Sequence, residues 1–146
     1  MIIDSSALVA IVRQEQDAQV FADLIAGAPV VRLSAASLVE VSVVIDGTRN
    51  PVLSGALDAL LASPRVVIEP FTPAQAQIAR TAYQRFGKGS GHPARLNMGD
   101  CFAYALARDL GEPLLFKGVD FTLTDIEIVI APTAGRRLSE VVAAYA

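Results

Sequence analysis

Apolar positions along the chain alternate between short continuous runs and stripes that recur every three or four residues. The short runs are typical of buried strands, and the stripes are typical of helices that cover a sheet. Ser34 and the pair Thr72-Pro73 are helix-start signals. The pattern predicts strands over 1–4, 29–33, 66–68, 114–116 and 126–130, and helices over 5–13, 17–26, 34–47, 51–61, 72–86 and 98–109.

Strands that alternate with helices predict an α/β sandwich with a mostly parallel central sheet. The 146 residues fit one domain, which we assign to residues 1–132. In the segment 133–146, Leu138, Val141, Val142 and Tyr145 follow a helical spacing. We expect this segment to form a short amphipathic helix that packs on the same domain or on a partner.

Composition narrows the class of protein. Hydrophobic residues make up 53% of the chain, but no apolar run approaches the roughly 20 residues of a membrane span. No basic segment precedes an apolar one at the N-terminus, so we expect no signal peptide and no membrane association. The single cysteine, Cys101, excludes an internal disulfide and a cysteine-based zinc site, which favours a reducing, cytoplasmic location.

Four acids lie in or beside apolar stretches: Asp4, Glu40, Asp100 and Asp120. Carboxylates are rarely buried unless they are paired or bind a metal. The residues three and four positions from Glu40 and Asp100 carry no cation, which excludes an intrahelical salt bridge for both. Asp4 and Asp120 follow predicted strands, where ligands collect in parallel sheets.

Convergence of these acids without a cation would be costly, because like charges raise each other's pKa. An all-oxygen ligand set favours Mg²⁺ or Mn²⁺, whose usual work is phosphoryl chemistry. Taken singly, each acid also fits an ordinary role. Asp4 and Asp100 fit helix caps, and Asp120 fits a turn residue paired with Lys117.

The net charge of −3 argues against a general nucleic-acid coat protein, but the charge is unevenly distributed. No Asp or Glu lies between Pro70 and Gly99, and four cations do, namely Arg80, Arg85, Lys88 and Arg95. These are candidate RNA contacts beside an acidic pocket. The alternative is a solvated helix face followed by a basic loop.

Four segments together resemble the PIN-domain ribonucleases, in particular the VapC-type toxins of bacterial toxin–antitoxin pairs. They are Met1-Ile2-Ile3-Asp4-Ser5-Ser6-Ala7-Leu8, Ser34-Ala35-Ala36-Ser37-Leu38-Val39-Glu40, Gly87-Lys88-Gly89 with His92 to Cys101, and Leu114 to Phe121 with Thr124-Asp125-Ile126. The resemblance covers residues 1–132. It implies a three-layer α/β/α sandwich and metal-dependent endonucleolytic cleavage of RNA, neutralised by a cognate antitoxin, and it suggests a homodimer.

The resemblance also implies roles for individual residues. The metal ligands map to Asp4, Glu40 and Asp100, and Asp120 completes the acidic pocket. Ser6 matches a hydroxyl residue that hydrogen-bonds within the pocket, and Asn97 steadies the turn before Asp100. Gly118 stands where many relatives carry an additional acid, which leaves Asp120 or Asp125 as the fourth carboxylate.

Other interpretations are weighed against this one. A DNase or structure-selective nuclease would use the same acids, and a receiver-like signalling module or a pure interaction protein would not be catalytic. The glycines of residues 87–91 do not form a P-loop, because the segment follows a predicted helix. His92 is expected to be a loop residue. The aromatic residues Tyr83, Phe86 and Tyr104 are expected to lie in the core.

Overall fold

Four short parallel strands form the centre of the fold in a computed structural model that describes residues 1–129. The strand order is β3-β2-β1-β4, with Ile2 beside both Arg32 and Leu114. The elements in chain order are β1 (Ile2–Ile3), α1 (Ser5–Val12), α2 (Ala18–Gly27), β2 (Val31–Ser34), α3 (Ala35–Asp46), α4 (Pro51–Leu61), β3 (Val66–Glu69), α5 (Pro73–Phe86), α6 (Met98–Leu110), β4 (Leu114–Leu115) and a 3-10 helix (Asp120–Leu123).

Alternation along the strands divides the core into two layers. Ile2 and Leu114 point to one face of the sheet, where they pack with α5 and α6. Ile3 and Leu115 point to the other face, where they pack with α1 to α4. Successive strand residues face opposite sides, so a two-residue strand is enough to join both layers. The predicted three-layer α/β/α architecture is confirmed.

Most predicted elements are present, and two expectations need comment. Residues 126–130 were predicted to form a strand, but within the described residues there is only an isolated bridge between Ile128 and Leu114. The predicted C-terminal helix of residues 133–146 lies outside the described residues. No helix within residues 1–129 has the length and apolar character needed to cross a membrane.

Two of the three aromatic residues that were expected in the core are buried, and the third is not. Phe86 and Tyr104 are buried, as predicted, but Tyr83 is 46% exposed. Its hydroxyl donates to the carbonyl of Lys88, so the ring lies over the end of α5 and not in the core. Apolar character alone did not distinguish these positions, because Tyr83 and Phe86 are neighbours on the same helical turn.

The fold brings three segments to the carboxyl edge of the sheet. Asp4 immediately follows β1, and Lys117 to Asp120 follow β4, which is the neighbouring strand. The amino end of α6 reaches the same edge, because Gly99 in its first turn lies against the Glu40 carboxylate and the neighbouring Asp100 is close enough to Asp4 to affect its pKa. In parallel sheets this edge is where ligands bind, so the topology sets the location of the candidate site.

Candidate active site

Asp4 is the most buried acid of the site, with 2% of its surface exposed. It is the N-cap of α1, and its Oδ2 accepts a hydrogen bond of 3.1 Å from the Ser6 amide. Its Oδ1 is buried without a hydrogen-bond partner among the described residues. Burial raises the pKa of Asp4 to about 7, against the effect of the Ser6 hydrogen bonds and with smaller contributions from Asp100 and Glu40.

Glu40 reaches the site from the side of α3. Its Oε1 accepts a hydrogen bond from the Ser5 hydroxyl, which lies in the first turn of α1. Its Oε2 lies against Gly99, where an added Cβ would overlap the carboxylate. Glu40 is therefore held between the amino ends of α1 and α6.

Asp100 is held by a reciprocal cap at the start of α6. Its Oδ2 accepts from the Asn97 amide at 2.8 Å, and its own amide donates to Asn97 Oδ1 at 2.9 Å. This capping box fixes the carboxylate at the positive end of the helix dipole. Even so, burial raises the pKa of Asp100, assisted by the charges of Asp120 and Glu40 and opposed by Asn97 and Lys88.

Asp120 lies close enough to Asp100 to raise the pKa of that carboxyl, but it is itself exposed at the start of the 3-10 helix. The alternative of an ion pair between Asp120 and Lys117 is not observed, because Lys117 pairs with Glu15. Gly118 has a φ of 109°, a conformation that residues with side chains rarely adopt. This turn therefore disfavours an acid at position 118.

Asp125, the alternative fourth carboxylate, is engaged away from the other acids. It accepts a hydrogen bond of 2.5 Å from Tyr104 and forms ion pairs with Arg85 at 3.1 Å and Arg108 at 3.7 Å. These cations and the Tyr104 hydrogen bond lower the pKa of Asp125, although burial opposes them. Asp125 thus anchors the segment after β4 to α5 and α6, and Asp120 is the acid placed near Asp100.

Asn97 and Ser6, which the family resemblance implies as supporting residues, both contact the acids. Asn97 caps α6, as expected from its position before Asp100. The Ser6 amide donates to Asp4 Oδ2, and the Ser6 side chain also lowers the pKa of Asp4. The Ser6 hydroxyl accepts a hydrogen bond of 3.0 Å from the Lys117 amide, so Ser6 joins the ends of β1 and β4. Ser5 contributes a second hydroxyl, which donates to Glu40.

The donor chemistry fits a hard divalent cation, since the available groups are carboxylate oxygens and one buried oxygen lacks a partner. However, no three acidic, His or Cys side chains within residues 1–129 are close enough together to form a ready-made metal cage. One oxygen of each of Asp4, Glu40 and Asp100 is bonded to a protein donor.

The four basic candidates do not form one patch. Arg80 and Lys88 line the same groove between α5 and α6. Arg85 pairs with Asp125 and lies over the Phe86 ring, and Arg95 is exposed with a φ of 51°. His92 packs edge-on against Phe86 and accepts a hydrogen bond from the Ala94 amide, as expected of a loop residue.

Ser5 and Gly99 contribute to the site and did not stand out in the sequence. Ser5 holds Glu40, and Gly99 leaves space for it. The only available signals were a second serine after Asp4 and a glycine in the first turn of a helix, a position where glycine is unfavourable. Both effects depend on a contact between segments that are far apart in the chain.

Known proteins share this architecture and much of the sequence. The PIN domain family matches residues 1–127. Ribonuclease VapC28 of Mycobacterium tuberculosis is 55% identical over 127 residues, which cover 87% of this chain and 96% of the relative. Ribonuclease VapC42 of the same organism is 47% identical over 126 residues, which cover 86% of this chain and 96% of the relative.

Solved structures show the same fold at lower identity. The crystal structure of VapC20 from M. tuberculosis, described as a toxin that cleaves the sarcin–ricin loop, has a TM-score of 0.69 at 19% identity and covers 90% of this chain and 98% of its own. VapBC2 from Rickettsia felis, solved with a promoter DNA fragment, has a TM-score of 0.67 at 16% identity and covers 88% of this chain and 96% of its own. The chain belongs to the PIN-domain family and, within it, to the VapC ribonucleases.

Proposed function

We propose that the protein is a Mg²⁺- or Mn²⁺-dependent endoribonuclease that hydrolyses phosphodiester bonds with an activated water molecule. The observation that carries the proposal is the buried carboxylate of Asp4, whose Oδ1 has no partner among the described residues and whose pKa is raised by burial and by Asp100 and Glu40. A buried carboxylate of this kind is costly unless a cation balances it. The ribonuclease names of the relatives support the reaction class.

Asp4 and Asp100 would bind the cation directly, and Glu40 would bind it directly or through water. When bound, a divalent cation neutralises charge at phosphorus and lowers the pKa of a water molecule. Ser5 and Gly99 keep Glu40 between α1 and α6, so the carboxylate does not have to be ordered when the substrate arrives.

Asp120 has a separate role in this proposal. Asp120 is exposed, and its charge raises the pKa of Asp100. It is not among the groups that raise the pKa of Asp4. Asp120 would therefore stand on the outer side of the site, where it helps to hold a second cation or orients the attacking water. Loss of Asp120 should then reduce cleavage less than loss of Asp4.

The proposed partners rest on the family to which the chain belongs. RNA is the proposed substrate, in the cytoplasm, and the active form is proposed to be a homodimer. A cognate antitoxin would inhibit the enzyme by inserting an arginine among the acids, which forms a charge-assisted pair and displaces the cation. The toxin–antitoxin complexes among the structural neighbours support the antitoxin.

An RNA cleavage assay tests the proposed function. With Mn²⁺ or Mg²⁺ the full chain should cut labelled RNA internally, EDTA should stop the reaction, and added metal should restore it. Asp100→Asn should lower the rate by about 1000-fold, because several kcal/mol of charge stabilisation are lost. Asp58→Asn, at an exposed position of α4, is the matched control and should cut normally.

Two results would contradict the proposal. One is undiminished cleavage in EDTA, and the other is normal cleavage by Asp100→Asn. A parallel reaction with single- and double-stranded DNA separates a ribonuclease from a DNase, since preference for DNA would identify the alternative nuclease with the same acids.

A further inference from the structure

A groove of about 470 Å³ lies between α5 and α6, beside the acidic site. Its apolar wall includes Tyr83, Met98 and Phe102, and its basic rim consists of Arg80 and Lys88. The volume falls within the range of about 300–1,000 Å³ that is typical of small-ligand sites. Met98 is 70% exposed and Tyr83 is 46% exposed, so the wall is open to a ligand.

The ring of Tyr83 is held in one orientation. A Cβ at Gly87 would lie 2.6 Å from Tyr83 Cδ2, so the ring packs directly over the backbone of Gly87. The Tyr83 hydroxyl donates to the Lys88 carbonyl at 3.2 Å. This packing and the hydrogen bond favour one orientation of the ring, which lowers the entropy cost of stacking on it.

The charge of the groove suits a polyanion. Neither Arg80 nor Lys88 forms an ion pair within residues 1–129. The chain from Pro70 to Gly99 contains no acid, and of its four cations Arg85 pairs with Asp125 from a later segment. An aromatic surface bordered by unpaired cations is the usual arrangement for binding single-stranded nucleic acid.

The groove is continuous with the acidic site. Asn97, which caps Asp100, also lines the groove. Lys88 is close enough to Asp100 to lower the pKa of its carboxyl. A nucleotide in the groove would therefore be a neighbour of the phosphate at the acids.

We propose that this groove binds one unpaired nucleobase of the RNA substrate, next to the phosphodiester that is cut. Tyr83 provides the stacking surface, and Arg80 and Lys88 contact the flanking phosphates. The inference rests on the proposed function, because it identifies the substrate as RNA whose base beside the cut is not paired. The groove thus selects the cleavage site, and the acids perform the chemistry.

The test measures binding and cleavage separately. Fluorescence anisotropy of labelled single-stranded RNA gives the binding affinity. The RNA is either intact or carries one abasic nucleotide, whose position is moved along the strand. Three proteins are compared, all with Asp100→Asn to prevent cleavage: one that keeps Tyr83, one with Tyr83→Ala and one with Tyr83→Phe. Tyr83→Ala should weaken binding of the intact RNA by about 5- to 100-fold, the usual effect of losing one stacked base. Tyr83→Phe, which keeps the ring, should bind nearly normally.

A double-mutant comparison provides the specific result. An abasic nucleotide adjacent to the cut made by the wild-type chain should weaken RNA binding to the protein that keeps Tyr83. The same abasic nucleotide should have little further effect on RNA binding to Tyr83→Ala, because the stacking contact is already lost. Additive effects at every position would overturn the inference, even if cleavage itself is normal. The inference would also be overturned if Tyr83→Ala binds RNA as tightly as the protein with Tyr83 but has a different oligomeric state. That result would assign the groove to a protein partner.

The proposed function fails by a different outcome. If the wild-type chain does not cut RNA with Mn²⁺ or Mg²⁺, the nuclease assignment is lost, while the anisotropy measurement still reports whether Tyr83 and one base interact. Thermal melting of each variant shows whether it is folded, and little loss of stability is expected because Tyr83 is half exposed.

Discussion

Replacement of Asp4 by Asn should abolish RNA cleavage and at the same time stabilise the cation-free protein at pH 8. Asn is as good an N-cap as Asp, so the bond from the Ser6 amide is retained. The substitution removes a buried negative charge whose Oδ1 has no partner within the described residues. The loss of cleavage should be about 1000-fold or more, since Asp4 is the proposed direct ligand of the cation.

The stability effect has a defined pH dependence. The pKa of Asp4 is raised from 3.8 to about 7 in the folded protein, so the folded state holds this proton more tightly than the unfolded state. The contribution of Asp4 to stability therefore falls as pH rises from about 4 to about 7, and it is lowest above pH 7. At 1.36 kcal/mol per pKa unit the upper limit is about 4 kcal/mol, and we expect about 2–3 kcal/mol because the Asn amide is also buried.

Urea unfolding in EDTA at pH 4.5 and pH 8 measures this effect. The free energy of unfolding of Asp4→Asn should exceed that of the wild-type protein at pH 8, and the difference should almost vanish at pH 4.5. Asp58→Asn serves as the control, because Asp58 is exposed on α4, away from the acidic site, and its removal should leave the pH profile nearly unchanged. If Asp4→Asn is less stable than the wild-type protein at pH 8, the charged carboxylate of Asp4 stabilises the cation-free fold, which contradicts the prediction.

Gly99→Ala should lower RNA cleavage by about 100-fold through displacement of Glu40. The added Cβ overlaps the Glu40 carboxylate, which must move away from α6. A shift of about 1 Å in a positioned group is enough for a loss of this size. Helix propensity acts in the opposite direction, because Ala is favoured over Gly by about 1 kcal/mol, so thermal stability should change little.

The control for this substitution is Gly55→Ala in α4, where nothing lies within 4 Å of the added Cβ. It should raise stability modestly and leave cleavage unchanged. In a Glu40→Ala background, Gly99→Ala should have almost no further effect on the rate. A full additional loss in that background would mean that Gly99 acts by some route other than Glu40.

The sequence predicts the architecture well because local patterns and the global fold agree. Asn97 and Asp100 are three residues apart at a helix start, which is the spacing of a capping box. The apolar run before Asp4 likewise predicts that Asp4 follows a strand. The predicted strand over 126–130 is reduced to a bridge because its described residues pair only at Leu114 of the two-residue strand β4.

The parts of the site that sequence could not predict depend on contacts between distant segments. Ser5 and Glu40 are 35 positions apart, and Gly99 meets Glu40 only because α3 packs on α6. The choice between Asp120 and Asp125 likewise depends on Tyr104, Arg85 and Arg108, which the fold brings to Asp125. The exposure of Tyr83 follows from the way α5 ends, and its apolar ring gave no sign of it.

Asp4, with Asp100 and Glu40, is proposed to form a site for a divalent cation. Calorimetric titration of the RNA-free full chain with Mn²⁺ at pH 7.5 tests it most directly, with Asp4→Asn titrated in parallel. We expect saturable binding by the wild-type protein and loss of binding in the variant, although the variant should be the more stable protein. Equal binding by both proteins, or no binding by the wild-type protein, would contradict it.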